Sequence, residues 1–203
     1  MLKKMVYSLG NLTGIALFTF LCTATFQSYQ KTGSLFAFTI VLINGLILAI
    51  YFVRREPRTL IEFPFAWLIS MVTTVLPFLY RPIQEAFLPE FLSLGYYLQI
   101  VGVVTIVGSL LSIRGSLGIV PANRGIKIGG FYRIVRHPLY ASELLFFSGY
   151  VLSNQSLFNF VLLVLSFAMQ YSRSRIEENF LSNDPGYKLY MSSTRYRFIP
   201  GLL

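Results

Sequence analysis

The residues best equipped for chemistry in this 203-residue chain lie in one short run, Arg136-His137-Pro138-Leu139-Tyr140-Ala141-Ser142-Glu143. The run contains the single histidine, an arginine, a tyrosine and a carboxylate, at the mouth of an apolar segment. A charged side chain at the centre of a bilayer costs about 2.5–3.5 kcal/mol on insertion scales. Polar chemistry set against membrane-length helices therefore needs a reason, and a site where a water-soluble cofactor meets a membrane-dissolved substrate supplies one. Pro138 can begin a helix, because its missing N–H falls where a donor would be orphaned anyway. On that helix His137, Tyr140 and Glu143–Leu144 recur at three- to four-residue spacing and share a face. A histidine at a helix mouth also serves as a plain structural hydrogen-bonder. Glu143 is harder to place: one or two turns into an apolar helix, it must pair, protonate or face a hydrated cavity.

Three further clusters accompany this run. Before it, Gly118 to Tyr132 is too polar and glycine-rich to span, and Gly125, Gly129 and Gly130 permit tight turns and close backbone approach to a ligand. Taken alone this is an ordinary loop; the arrival of Arg136-His137-Pro138 directly after it argues for a ligand. Beyond it, Gln170, Arg173, Glu177 and Leu181 line one face of a helix, with Arg173 and Glu177 at i and i+4. That stripe continues towards the membrane and suits a cavity-facing surface. Arg175 and Glu178 form a pair on another face, read as solvated and worth only tenths of a kcal/mol. Asp184-Pro185-Gly186 is a turn, and Tyr187 and Tyr190 share a face of the short helix after it. With Arg195-Tyr196-Arg197-Phe198 this basic, aromatic tail either lies along an anionic leaflet or caps a cofactor pocket.

The elements that must position these residues are membrane helices. The chain is 55% hydrophobic and only 12% charged, against about 25% charged for a soluble domain. A net charge of +9 raises nucleic acid as a partner, but no basic stripe with interleaved aromatics exists outside the loops, and positive loops are usual in membrane proteins. Cys22 stands alone, which excludes a disulfide framework; with one histidine, no metal site of His and Cys is expected either. Four apolar segments, Met5–Phe26, Gly33–Val53, Leu60–Tyr80 and Leu92–Ile113, approach the roughly 20 residues needed to cross a bilayer. Met5–Phe26 lacks a clear cleavage site and is read as a retained anchor. A fifth block, Leu139–Tyr171, is broken by Ser153-Asn154-Gln155-Ser156 and reads as a helical hairpin.

The expected fold is therefore an all-α polytopic membrane protein of about six transmembrane helices with a cytoplasmic cofactor pocket. It forms one compact membrane domain: residues 1–113 are a four-helix scaffold, and residues 114–203 carry the chemistry. Asn11, Asn44 and Gln99 are expected to hydrogen-bond between helices. With the N-terminus inside, all of the 17 Lys and Arg except Lys31 and Arg81 fall on inside segments. The positive-inside rule then puts both termini in the cytoplasm, in a bacterial inner membrane or a eukaryotic endomembrane.

The ordered motifs resemble the isoprenylcysteine carboxyl methyltransferase family, within the wider group of integral membrane methyltransferases that includes the phospholipid methyltransferases. The resemblance covers roughly Gly115 to Leu203. It rests on Gly130-x-Tyr132 before Arg136-His137-Pro138-x-Tyr140, the helical hairpin, Glu177-Glu178-x-x-Leu181, Tyr187-x-x-Tyr190 and the closing Arg197-x-x-Pro200-Gly201. It implies S-adenosylmethionine in a largely enclosed cytoplasmic pocket. Contacts would come from Arg124, Gly125, Ile126 and Lys127, from Tyr132, from His137, Pro138, Leu139 and Tyr140, and from Glu177, with Tyr187 and Tyr190 capping. Arg173 falls where the family has a substrate-facing arginine, but the hairpin is about one residue shorter here, so Arg175 competes for the role. The Glu177–Tyr187 linker is also shorter.

The implied acceptor is a hydrophobic small molecule or lipid, methylated at a carboxylate oxygen, with no obligate protein partner and no nucleic acid. A carboxylate needs no general base; an amine acceptor would, and Glu143 is the residue for it. Arg136 to Glu143 also resemble the Arg-His-Pro-x-Tyr-x-x-Glu stretch of NADPH-dependent sterol-type membrane reductases. A channel or transporter is a third reading, disfavoured because the first four spans carry few polar residues.

Overall fold

Seven α-helices carry the chain among the described residues, which are 2–83 and 87–202 of this computed structural model, with side chains from Tyr7 onward. The side chains of Lys3 and Lys4 lie outside that set. Helices α1 (Leu2–Thr32) and α2 (Leu35–Val53) form a hairpin. Gly33 closes it at φ 61°, its N–H donating to the Tyr29 carbonyl at 2.8 Å, as glycine does just past a helix end. Helix α3 (Pro64–Val75) is extended by a 3₁₀ turn to Leu79. Helices α4 (Leu92–Ile113), α5 (Pro138–Ser153), α6 (Leu157–Leu181) and α7 (Pro185–Ser193) follow. Strands β1 (Thr59–Leu60) and β2 (Ala122–Asn123) pair antiparallel, Thr59 opposite Asn123. The fold is an all-α membrane protein.

Helices within Tyr7–Thr32, Leu35–Val53 and Pro89–Ser116 are long and apolar enough to cross a bilayer. Leu35, Leu42, Phe52, Ile100 and Val104 on them are exposed, which suits a hydrocarbon surround. Of the other expected spans, α3 and α5 are shorter, while α6 has 25 residues but ends in a polar, charged stretch. The Leu60–Tyr80 segment loses its first turn because Leu60 pairs with Ala122 and the helix starts at Pro64. Its last turn narrows to 3₁₀ geometry around Pro77.

Helix α5 has 16 residues, about 24 Å at 1.5 Å per residue against a core about 30 Å thick. Its apolar side chains meet protein instead of lipid: Leu144, Phe146, Phe147, Tyr150 and Val151 are buried, and none of its large apolar residues is exposed. A seam of small residues lets α4 press against it. A Cβ at Gly102 would come within 2.7 Å of the Phe146 backbone, and one at Gly149 within 2.6 Å of the Gly95 carbonyl oxygen.

The hairpin turn falls where Ser153 to Ser156 predict it. The Ser156 hydroxyl caps α6 by accepting from the Asn159 N–H at 3.1 Å, a common N-cap arrangement. The core draws Ile50 from α2, Ile106 and Leu110 from α4, Phe146 from α5 and Leu162 from α6 into one cluster. Of the polar residues expected to link helices, Gln99 does so, its Nε2 donating to Ser153 Oγ at 3.0 Å. Asn11 Oδ1 and Asn44 Nδ2 instead are buried with no partner among the described residues.

Candidate active site

The loop between α4 and α5 is held from both sides. The Arg58 N–H donates to the Asn123 carbonyl at 2.7 Å, continuing the β1–β2 ladder. Asn123 Oδ1 accepts from the Gly125 N–H at 3.0 Å, and its Nδ2 donates to Asp184 Oδ2 at 2.9 Å. Asp184 also caps α7 through the Gly186 N–H. Those hydrogen bonds, from Asn123 first, hold its carboxyl below the usual range. Gly125 sits at φ 93°, which a side chain would resist. Gly130 sits at φ 60°, against Ser112 of α4. Gly129 has ordinary extended backbone at φ −103° and makes no special turn.

Glu178 fastens the opposite wall. Buried at 3% exposure, it accepts from Arg136 Nε at 2.7 Å, His137 Nε2 at 3.1 Å, and Arg197 Nε and Nη2 at 3.1 and 2.5 Å. Burial pushes its carboxyl up, but the bonds from His137, Arg197 and Arg136 prevail and hold it far below the usual range. Arg136 Nη1 reaches the Thr194 and Arg195 carbonyls, and the His137 N–H donates to the Arg197 carbonyl. The tail is thereby stitched to the start of α5. The sequence reading of Arg175–Glu178 as a surface pair is corrected: Arg175 is exposed and makes no ion pair among the described residues, while Glu178 is the buried hub.

Between these walls opens a cavity of about 1170 Å³, larger than a typical ligand pocket of about 300–1,000 Å³. Its polar end is lined by Arg124 to Lys127, Tyr132, His137, Tyr140, Glu143, Arg173, Glu177, Tyr187 and Tyr190. The Tyr140 hydroxyl donates to Glu177 Oε2 at 2.8 Å, and its ring lies parallel to His137 with centroids 5.2 Å apart. His137 Nδ1 stands 3.8 Å from Glu177 Oε2. The Tyr190 hydroxyl donates to the Tyr132 carbonyl at 2.7 Å, and Tyr132, Tyr187 and Tyr190 form a buried aromatic floor. Burial pushes all three phenols up. Arg124 is lowered to about 10 by burial and by the charge of Arg54, so it stays cationic at neutral pH.

Arg173 lies where the polar end passes into the membrane. It is buried, with Nη1 donating to Thr73 Oγ1 at 3.2 Å and Nη2 to the Ile119 carbonyl at 2.5 Å. Its guanidinium sits 4.9 Å above the Tyr140 ring. Its Nε has no partner, and among the described residues no carboxylate lies within ion-pair distance. The expected i,i+4 pair with Glu177 therefore does not form, because Thr73 and the Ile119 carbonyl take the guanidinium. Glu143 faces the same cavity and accepts from Gln170 Nε2 at 2.5 Å. From there an apolar limb runs between the helices along Ile40, Ile43 and Ile47 of α2, Ile106 and Leu110 of α4, and Phe146 of α5.

Most sequence-nominated residues converge on this cavity, and two do not. Pro138 is buried in the first turn of α5, and Arg175 faces outward. Asn123 and Thr73 escaped the sequence reading, and Glu178 was assigned to the surface instead of to the buried hub. Glu178 had a signal: Ser166, Gln170, Ser174 and Glu178 recur every four residues and are all buried, a polar face that solvent exposure would not explain.

No curated protein matches the chain. The matched family model, described as phospholipid methyltransferase, spans residues 91–186, from the start of α4 through the loop, α5 and α6 into α7. This segment, which contains most of the cavity's polar end, is similar to the phospholipid methyltransferase family.

Proposed function

We propose that the protein is an S-adenosylmethionine-dependent methyltransferase that esterifies a carboxylate on a lipid-like acceptor. The observation that carries the reading is Arg173, a buried guanidinium that has, among the described residues, no carboxylate partner and a free N–H where the polar end meets the apolar limb. A buried charge is rarely left uncompensated, and a guanidinium is well matched to an acceptor carboxylate. The chemistry of the polar end fits the cofactor. Among the described residues Glu177 accepts only the Tyr140 hydroxyl, leaving oxygens for hydroxyl groups or a cation, and Arg124 Nε is a second orphan donor in the cavity.

When bound, S-adenosylmethionine supplies an electrophilic methyl group on a sulfonium. The chain's own residues orient and dehydrate. Arg173 holds the acceptor oxygen, the Tyr132–Tyr187–Tyr190 floor excludes water, and Glu178 keeps the tail closed over the site. No proton needs removal from a carboxylate, so alignment, which can contribute about 7–11 kcal/mol, does most of the work. A second reading, methylation of an amine, is favoured by Glu143, a half-buried carboxylate in the same cavity that can take the proton.

Incubating the purified protein with methyl-labelled S-adenosylmethionine and a total lipid extract tests both readings. Label released by mild base as methanol supports the ester, and base-stable label on a headgroup nitrogen supports the amine. No transfer, together with NADPH binding, would point to the reductase chemistry instead. The polar end is proposed to face the cytoplasm, on the distribution of Lys and Arg. Cysteines placed at Arg58 and Asn154 should label from the cytoplasmic and outer sides respectively; the reverse pattern would invert the orientation.

A further inference from the structure

Within the cavity, the buried side-chain atoms left without a partner among the described residues are Arg124 Nε, Arg173 Nε and Asn44 Nδ2. The two arginines belong to the polar end. Asn44 does not: it sits on α2 among Ile40, Ile43 and Ile47, 4% exposed, on the wall of the apolar limb. It lies seven residues before Tyr51, which neighbours Arg124 and Arg173, or about 10 Å farther along the helix axis. We propose that Asn44 recognises an oxygen within the tail of the acceptor, a carbonyl or hydroxyl carried about two helical turns beyond its reacting carboxylate. The proposal rests on the reading of the cavity as a site for a lipid-like carboxylate.

The usual role of a polar residue in a membrane helix is to bond a neighbouring helix. In this protein Gln99 fills that role, and the limb's Thr25 and Thr39 satisfy their hydroxyls on carbonyls of their own helices. Asn44 makes no such bond among the described residues. A buried amide without a partner is costly, and a hydrocarbon tail filling the limb would leave it so. A tail oxygen at that depth relieves the cost. Rotation of the carboxamide presents either its NH₂ or its oxygen, so a ketone, an ester carbonyl or a hydroxyl all qualify. The residue would act as a selector, because a pocket built to bond an oxygen rejects the analogue that lacks it more strongly than an apolar pocket rejects an extra group.

A positional series of oxostearates, competing with a fluorescent polyene fatty acid for the purified full-length protein, tests this. One ketone position, about 10 Å from the carboxylate, should compete about tenfold or more better than stearate. Asn44→Leu should flatten the series, improve stearate itself and raise the melting temperature, since an unpaired amide has been removed. A flat series with the wild-type protein overturns the proposal, with no need of the variant. A preference that persists in Asn44→Leu, or a fall in melting temperature with the series unchanged, also overturns it and marks Asn44 as scaffold. A position-dependent series in a protein that transfers no methyl group would sink the enzymatic reading and leave the tail contact standing.

Discussion

Replacing Arg173 by alanine should reduce kcat/KM for methyl transfer by about a hundred- to a thousandfold, the usual cost of losing one preorganised donor at a reacting oxygen. The affinity for S-adenosylhomocysteine, measured by calorimetry, should stay near wild type, because the proposed cofactor contacts lie with Arg124, Glu177 and the tyrosine floor. Lysine should rescue only partly, since a point charge cannot satisfy Thr73 Oγ1, the Ile119 carbonyl and an acceptor in one plane. Thr73→Val separates positioning from contact: it removes one guanidinium anchor and should raise KM more than it lowers kcat. Arg175→Ala, altering an exposed residue, should leave turnover unchanged. A large loss with Arg175→Ala and none with Arg173→Ala would mean that the acceptor does not reach the cavity at Arg173.

Loss of the Glu178 carboxylate should be the most damaging single change to the fold of the site. Glu178→Ala leaves the half-buried Arg136 and Arg197 without their counter-charge, at a cost towards the low end of the about 3–5 kcal/mol for a broken buried pair. The tail from Thr194 onward should then become open to protease cleavage at Arg195 and Arg197, which the wild-type protein should resist. The low value of the Glu178 carboxyl sets the pH dependence. Its contribution is complete above the unfolded carboxylate value, about 4.3, and is lost only as pH falls through its own lower value. Proteolysis of the wild-type tail should therefore stay slow down to about pH 4 and rise below it. Release of the tail already near neutral pH, or an unchanged tail in Glu178→Ala, would remove Glu178 as the latch.

Much of the site's local structure was legible in residue types and local spacing. Pro138 starts a helix, Ser156 and Asp184 cap helices, and Tyr187 and Tyr190 share a face because these are properties of one to four consecutive residues. The three long apolar helices follow from run length alone. Helix α5 was legible as apolar, but not as buried. A helix that is apolar all round suits lipid or protein equally, and only the glycine seam with α4 decides for protein.

The choice between Glu177 and Glu178, and between Arg173 and Arg175, belonged to the tertiary structure. Neighbouring residues on a helix point about 100° apart, so the same four side chains serve a cavity or a latch according to how α6 is rotated against its neighbours. That rotation is set by partners far away in the chain: Thr73 and Ile119 for Arg173, Arg136 and Arg197 for Glu178. The sequence by itself determined which groups were available and that they gather in the C-terminal half of the chain. Which of them face one another was decided by long-range packing, because hydrogen bonds between residues 19 to 100 positions apart leave no periodicity for a sequence to display.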